Sequence, residues 1–468
     1  MPVDETSQPI ELLVSVSREA PGTLGSQIED QFRRAIRDGT LKPGARVPST
    51  RDLARQLGVS RRIAVDAYAQ LAAEGYMALR QGARPHVSET AALAGETVTT
   101  QQTRPPRFDF RPSVPDVSTF PRAAWLRSLR DAVTTITDAD LGYGDMRGVE
   151  ALRAALADYL GRVRGVAARP ANVVVTCGYS QGLAVVCQAL AAGGAKRVAL
   201  EDPTWPEQVQ TVARAGLEPV AVAVDDAGMR IDLLEETKAD AVILTPAHQH
   251  PMGVVLTGER RTQLIAWLRE RDAVAIEDDY DAEYRYDRAA VGALQGLEPD
   301  RVVYAGSASK TLAPALRIGW LVVPPALLDA VTAEKVLADR GTGRIEQHAF
   351  ADFLTRGELD RHLRRMRARY RARRDALIEV VGEELPEATV RGIAAGLHAL
   401  VELPHSYDEQ AIRDGARDRR IHLETMRDYW PKPSGGPPTL MLGYAKMSEP
   451  TIRAGVLELA EAVRAARA

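Results

Sequence analysis

Short apolar runs recur through the middle of the chain, at 172–176, 197–200, 241–244, 273–276 and 301–304, and the segments between them carry helix-like patterns such as 259–270. Strands separated by helices predict βαβ units and a mostly parallel sheet. After about residue 335 the pattern turns to a long arginine-rich helical stretch, 357–381, and then to short strands, which predicts a smaller α+β lobe. The first part of the chain reads differently. Residues 24–38 place Ile28, Phe32, Ala35 and Ile36 on one helix face. Ser49 is placed to cap a helix over 51–57, Gly58 to end it, and Ser60 to cap a second helix through Glu74, on which Ile63, Ala67 and Leu71 recur every fourth residue beside Tyr68. Two helices joined by a three-residue turn predict a helix-turn-helix. Residues 88–107 are small, polar and aperiodic and end in Pro105-Pro106, as a linker does. The expected organisation is a small helical domain over 1–87, a linker over 88–107 and a large α/β domain over 108–468.

Charge changes this picture only locally. The net charge of -3 over 468 residues gives no reason to expect a nucleic-acid binder. From Gln31 to Arg84, however, eleven Lys or Arg stand against four acids, a surplus of seven. Cys177 and Cys187 lie inside apolar runs with no metal-ligand spacing, so they read as reduced core residues and no metal is expected. No stretch approaches eighteen uninterrupted apolar residues, and the acidic start MPVDETSQPIE lacks an apolar core. Neither a membrane span nor export is indicated, and a cytoplasmic protein is expected.

The basic surplus falls on the helix-turn-helix. Arg61 and Arg62 project from the N-terminal end of its second helix, the end that enters the major groove in this motif. There an arginine grips guanine through two hydrogen bonds and others hold phosphates. The bland alternative is an ordinary helical hairpin with solvated arginines, but the turn, both capping serines and the charge surplus coincide. The run VPSTRDLARQLGVSRRIAVDAYAQLAAEGY, within 24–87, resembles the winged helix-turn-helix of the GntR family of bacterial regulators. The resemblance implies a double-stranded DNA operator contacted by Arg51, Ser60, Arg61 and Arg62, with the Gly82 turn as the wing. Arg84-Pro85-His86 replace the small residues usual in that wing.

A second constellation lies in the α/β part. Pyridoxal 5'-phosphate asks a protein for an amine to form a Schiff base, an anion beside the pyridine nitrogen, phosphate anchors and a flat ring to stack on. In VAIEDDYDAEYRY, acids end an apolar strand, where α/β ligands bind; Asp278 suits the ring nitrogen and Tyr280 the ring hydroxyl. GSASKTLAPALRIGW supplies Lys310 for the Schiff base and Ser307, Ser309 and Arg317 for the phosphate. Tyr179 and Ser180 in TCGYSQGL sit at a helix start that favours an anion, and Trp205 in LEDPTWPEQ offers a stacking face. Singly these signals are weak. A loop lysine, a core tryptophan and a solvated acidic turn explain each one, but not their order at successive strand ends.

That order is similar to fold-type I aminotransferases across nearly everything after Phe108. Joined to the GntR-type head, the chain is identified as a member of the MocR family of transcriptional regulators. The resemblance implies a homodimer in which Lys310 forms an internal aldimine and Tyr143 reaches the phosphate of the partner subunit. It also implies a domain used to sense pyridoxal phosphate, or a small amine that reacts with it, rather than for turnover. Three positions depart from the family pattern: Trp205 stands where a tyrosine usually stacks, His250 where an asparagine or aromatic is usual near the ring hydroxyl, and Met441 where aminotransferases keep the arginine that grips a substrate carboxylate. Two other readings stay open. One is a working aminotransferase with an appended DNA-binding module, for which Arg340, Arg344 or Arg427 would have to replace the arginine missing at 441. The other is a DNA-binding protein whose large domain serves only dimerisation. With Met441 in place, and with Glu207 adding negative charge, the expected signal is pyridoxal phosphate itself or an amine lacking a carboxylate.

Overall fold

The computed structural model describes residues 14–80, 83–89, 105–286, 291–431 and 436–467. The chain forms two compact units, Met1–Arg104 and Pro105–Ala468. In the first, α1 (Leu24–Arg37), α2 (Thr50–Leu57) and α3 (Arg61–Ala73) precede an antiparallel pair, β1 (Met77–Ala78) with β2 (His86–Val87). Ile28, Phe32, Ile36, Leu53, Tyr68 and Leu71 meet in one core, with the rings of Phe32 and Tyr68 edge to face at 5.5 Å. Ser49 caps α2 by accepting from the Asp52 amide at 3.2 Å, and Gly58 ends it in the left-handed region at φ 64°. Two details differ from the sequence expectation. Ser60 occupies the cap position of α3 but makes no side-chain cap bond, and Ala64 is fully buried where Ile63 is only half-buried. Ile63 lies in the first turn, where the chain is still leaving the turn and its side chain falls to the edge of the core.

The second unit is built on an eight-stranded sheet. With β3 (Phe108–Asp109) outside it, its strands are β4 (Val173–Thr176), β5 (Arg197–Asp202), β6 (Glu218–Asp225), β7 (Gly228–Met229), β8 (Ala241–Leu244), β9 (Val274–Asp279), β10 (Val302–Ser307) and β11 (Gly319–Val322). Their spatial order is β4-β11-β10-β9-β8-β5-β6-β7. The ladders from β10 through β6 are all parallel, whereas β11 runs antiparallel to both its neighbours and β7 antiparallel to β6. Strands covered on both faces bury every side chain, which is why they read as apolar runs. The expected runs are β4, β5, β8, β9 and β10, but three of these strands extend past the apolar part into polar residues. The pairs Glu277↔Tyr304, Asp278↔Ala305 and Asp279↔Gly306 continue the ladder into the acidic cluster.

The smaller lobe holds a four-stranded antiparallel sheet in the order β12 (Thr389–Arg391), β13 (His398–Glu402), β16 (Thr439–Gly443), β15 (Glu424–Thr425), while β14 (Ile421–His422) pairs with β3. The expected arginine-rich helix runs Glu358–Glu384 and buries Leu363, Met366, Tyr370 and Leu377 in the core shared with this lobe. Its arginines fall mostly on the exposed face.

Candidate functional site

Period-two geometry sorts the acids that end β9. Glu277 and Asp279 share one face and are used by the fold: Glu277 accepts from the backbone amides of Leu294 and Gln295 at 2.9 Å, and Asp279 pairs with buried Arg164 at 2.7 Å and accepts from the Tyr304 hydroxyl at 2.8 Å. Asp278 points the other way, into a cavity of about 210 Å³ at the carboxyl ends of the strands. That cavity is lined by Lys310, Asp278, Tyr280, Trp205, Tyr179, Ser180, Ser307, Ser309, Arg317 and His250, all proposed from sequence. Tyr143 is not among them. It lies 73% exposed beside a separate cavity lined also by Arg340 and Arg344.

Each wall has a local origin. Lys310 sits in the single turn Ala308–Thr311, after Ser307 has accepted from the Ser309 amide, and its Nζ lies 5.7 Å from the centre of the Trp205 ring. Burial lowers its pKa, against the opposing pull of Asp281, Asp278 and Glu424, which favours the uncharged, nucleophilic amine. Arg317 adopts the left-handed region at φ 51° and donates to the Cys177 carbonyl at 2.6 Å. This sets its guanidinium against Gly178, at φ 82°, where an added Cβ would stand 3.3 Å from the guanidinium nitrogens. Gly178 in turn starts the helix Tyr179–Ala192 with no side chain bonded across its first amides. An arginine, a bare helix start and three serines converge at one end of the cavity, the donor set a phosphate needs.

At the other end, Asp278 accepts from Gln208 Nε2 at 3.3 Å, and Gln208 also donates to the Tyr179 hydroxyl at 2.9 Å. Burial pushes the Asp278 carboxyl well above the usual carboxylate range, and Asp279 and Asp281 push it further, so it would gain most from a cation brought by a ligand. Tyr280 contacts His248 Nδ1 at 3.0 Å, and Asp281 lies 3.1 Å from the same nitrogen. The buried His250 packs against the rings of Trp205 and Tyr280, its Nε2 is 3.2 Å from the Tyr429 hydroxyl, and its Nδ1 has no hydrogen-bond partner among the described residues. Burial holds its pKa well below the ordinary value, so it is neutral. These features fit pyridoxal phosphate: an acid lacking a full cation, an orphaned imidazole nitrogen beside a tyrosine, a stacking indole, an amine and an anion cradle.

Several lining residues had no role in the sequence reading. Gln208 and Thr204 flank Trp205, and Thr245 supports His250 by accepting from its amide at 3.0 Å. Gln208 faces the site because it follows Trp205 by three positions across the start of a helix, a spacing that offers a signal. Glu424, Tyr429 and Arg111 line an adjoining cavity that shares Trp205 and Lys310, and they lie on loops or short strands far away in sequence that carry no such signal. Met441 is fully buried on β16 beside Leu400 and Tyr429, with Trp205 packed against them. Of the arginines considered as replacements, Arg344 pairs with Asp140 at 2.8 Å and Arg427 with Glu409 at 3.4 Å, and none of the three lines the Lys310 cavity.

In the N-terminal unit Arg51, Ser60, Arg61 and Arg62 are all exposed at the starts of α2 and α3. Arg62 makes only a loose 3.8 Å approach to Asp66. Gly82 lies outside the described residues, although β1 and β2 on either side of it pair as a wing requires.

Comparison with known proteins agrees with this fold. Residues 24–87 match bacterial regulatory proteins of the gntR family, and residues 115–429 match aminotransferases of class I and II. The chain is 31% identical to the HTH-type pyridoxine biosynthesis transcriptional regulator PdxR of Corynebacterium glutamicum, over 97% of this chain and 99% of that one. It is 30% identical to the probable rhizopine catabolism regulatory protein MocR of Rhizobium meliloti, over 96% of each. Among solved structures, the multiple substrate aminotransferase of Thermococcus profundus superposes with a TM-score of 0.70 at 25% identity, covering 78% of this chain and 92% of that one.

Proposed function

The chain belongs to the MocR family, in which a gntR-type DNA-binding head is joined to an aminotransferase-like domain, and from that premise we propose that its transcriptional control is set by pyridoxal 5'-phosphate held at Lys310. The observation that carries the reading is the cavity at the ends of β9 and β10, where one buried lysine meets an acid, a stacking indole and an anion cradle. The chemistry pyridoxal phosphate supplies when bound is an aldehyde that condenses with primary amines and a ring that withdraws electrons. Lys310 presents an amine whose pKa burial lowers, which favours the form that condenses with an aldehyde. Asp278 holds a proton at the ring nitrogen, Trp205 covers one face of the ring, and Tyr280 with His250 Nδ1 binds its hydroxyl. Arg317, Ser307, Ser309, Ser180 and Tyr179 hold the phosphate, and Tyr143 reaches the same group in the partner subunit of a homodimer. The signal is pyridoxal phosphate or a small amine that competes for it.

In the head, the start of α3 lies in the major groove, with Arg61 and Arg62 on bases or phosphates and Arg51 and Ser60 on the backbone. No helix among the described residues is long and apolar enough to cross a membrane, and we place the protein in the cytoplasm with its operator. The test is a mobility-shift assay on DNA upstream of its own gene, with and without pyridoxal phosphate, beside an absorbance scan above 400 nm. A cofactor band together with a cofactor-dependent change in affinity is expected. Steady turnover of an amino acid with no effect on DNA binding would favour an aminotransferase instead.

A further inference from the structure

Outside the Lys310 cavity, and sharing Trp205 and Lys310 with it, lies a second cavity of about 460 Å³ whose charged walls are Arg111, Glu207, Glu424 and Asp428. Two of these charges are already matched. Arg111 forms a two-pronged pair with Asp109, at 2.8 and 2.6 Å, and Asp428 a two-pronged pair with Arg413, at 2.8 and 2.9 Å. Glu207 and Glu424 have no cation within ion-pair distance among the described residues. Glu424 is placed by the sheet. It stands directly across the β15–β16 ladder from Met441, and its Oε2 lies 3.3 Å from the Tyr429 hydroxyl, which in turn touches His250. The unpartnered Nδ1 of His250, in a side chain only 6% exposed, lies at the other end of this relay.

A carboxylate ligand needs a cation here, and a buried one left unpaired is costly. The arginine on this wall, Arg111, is already taken by Asp109, while Glu207 and Glu424 line the cavity without such a partner among the described residues. Burial, with Asp428 and Glu207 nearby, raises the Glu424 pKa against the opposing pull of the Tyr429 hydroxyl and Arg111, and a cation would relieve the remaining cost. Resting on the cofactor-site reading above, we infer that the outer cavity is a subsite for the far ammonium of a short α,ω-diamine, held by Glu424 and Glu207 while its near end reaches the Lys310 cavity. A monoamine would fill the same space without this pair, and an amino acid would bring a carboxylate against it.

The test is calorimetric titration of the full-length protein, saturated with pyridoxal phosphate, with 1,4-diaminobutane, n-butylamine and 4-aminobutanoate. The diamine is expected to bind at least about tenfold more tightly than either of the others, the scale of one hydrogen-bonded charge pair. Glu424→Gln keeps an acceptor for Tyr429 and is expected to erase most of that preference. Glu207→Gln, at an exposed position in the first turn of the helix Pro206–Arg214, should reduce it by a smaller factor. Tighter binding of 4-aminobutanoate, or an unchanged preference in both variants, would overturn the inference while leaving the cofactor reading in place. Failure of the wild-type protein to take up pyridoxal phosphate, read from its absorbance before titration, overturns both.

Discussion

At Lys310 burial and function pull in the same direction, because the environment that costs a charged amine its solvation also leaves it ready to attack an aldehyde. Lys310→Ala is therefore expected to abolish absorbance above 400 nm in protein mixed with pyridoxal phosphate, and to remove any effect of the cofactor on operator affinity while leaving affinity without cofactor intact. Glu201 shows the opposite case. Its Oε2 accepts from the Thr245 amide at 3.0 Å and hydroxyl at 2.6 Å, bracing the loop that carries His250, and burial raises its pKa from 4.5 to about 7. The folded state thus binds this proton more tightly than the unfolded chain. The stabilisation is complete below pH 4.5 and is lost as pH rises through 7, by up to ~3 kcal/mol. Urea unfolding from pH 5 to 8 should show Glu201→Gln losing less stability across that window than the wild type, and parallel curves would refute the assignment.

At the scale of elements, α3 makes the clearest claim. Arg61→Ala or Arg62→Ala should weaken operator binding by ~1–3 kcal/mol in the mobility-shift assay without altering the cofactor band, since the two sites lie in separate units. Undiminished affinity in both variants would remove the recognition-helix reading. Elements with one dominant signal were legible in the sequence: α1 to α3 from caps and spacing, β4, β5, β8, β9 and β10 from apolar runs, the arginine-rich helix from its period. The strand β6, next to the sheet edge, was not, because only one of its residues is buried and it offers no apolar run. Likewise the cavity-lining residues near strand ends announced themselves through Asp278, Tyr280 and Lys310. Glu424 and Tyr429 enter the site only through the pairing of short strands in the smaller lobe, a long-range contact that no local pattern encodes. Ser60 was misread as a bonded cap for a related reason, since a residue type at a cap position does not fix where its hydroxyl points.

Among the described residues of the whole molecule, several large apolar side chains of the second unit stay exposed. Leu126 and Val133 lie seven residues apart on the helix Arg122–Thr135, and these, Leu141 and Tyr143 are each more than half exposed. Leu126 and Val133 share a helix face of the kind a partner would cover, and together with the proposed role of Tyr143 they are what the proposed homodimer would use. Sedimentation at micromolar concentration should give a dimer, and Tyr143→Ala should loosen phosphate binding, seen as a weaker cofactor affinity, more than it loosens the dimer. A monomer that still holds cofactor tightly would contradict this arrangement. The exposure of Tyr143 also bears on gene dosage. If each cavity is completed by the neighbouring copy, a dilute cell is poor both in paired DNA heads and in finished sensing sites, and both deficits fall away together as copies accumulate. The regulator's own abundance then becomes a second input beside its ligand, so that a modest change in its expression would shift the threshold at which the ligand is felt.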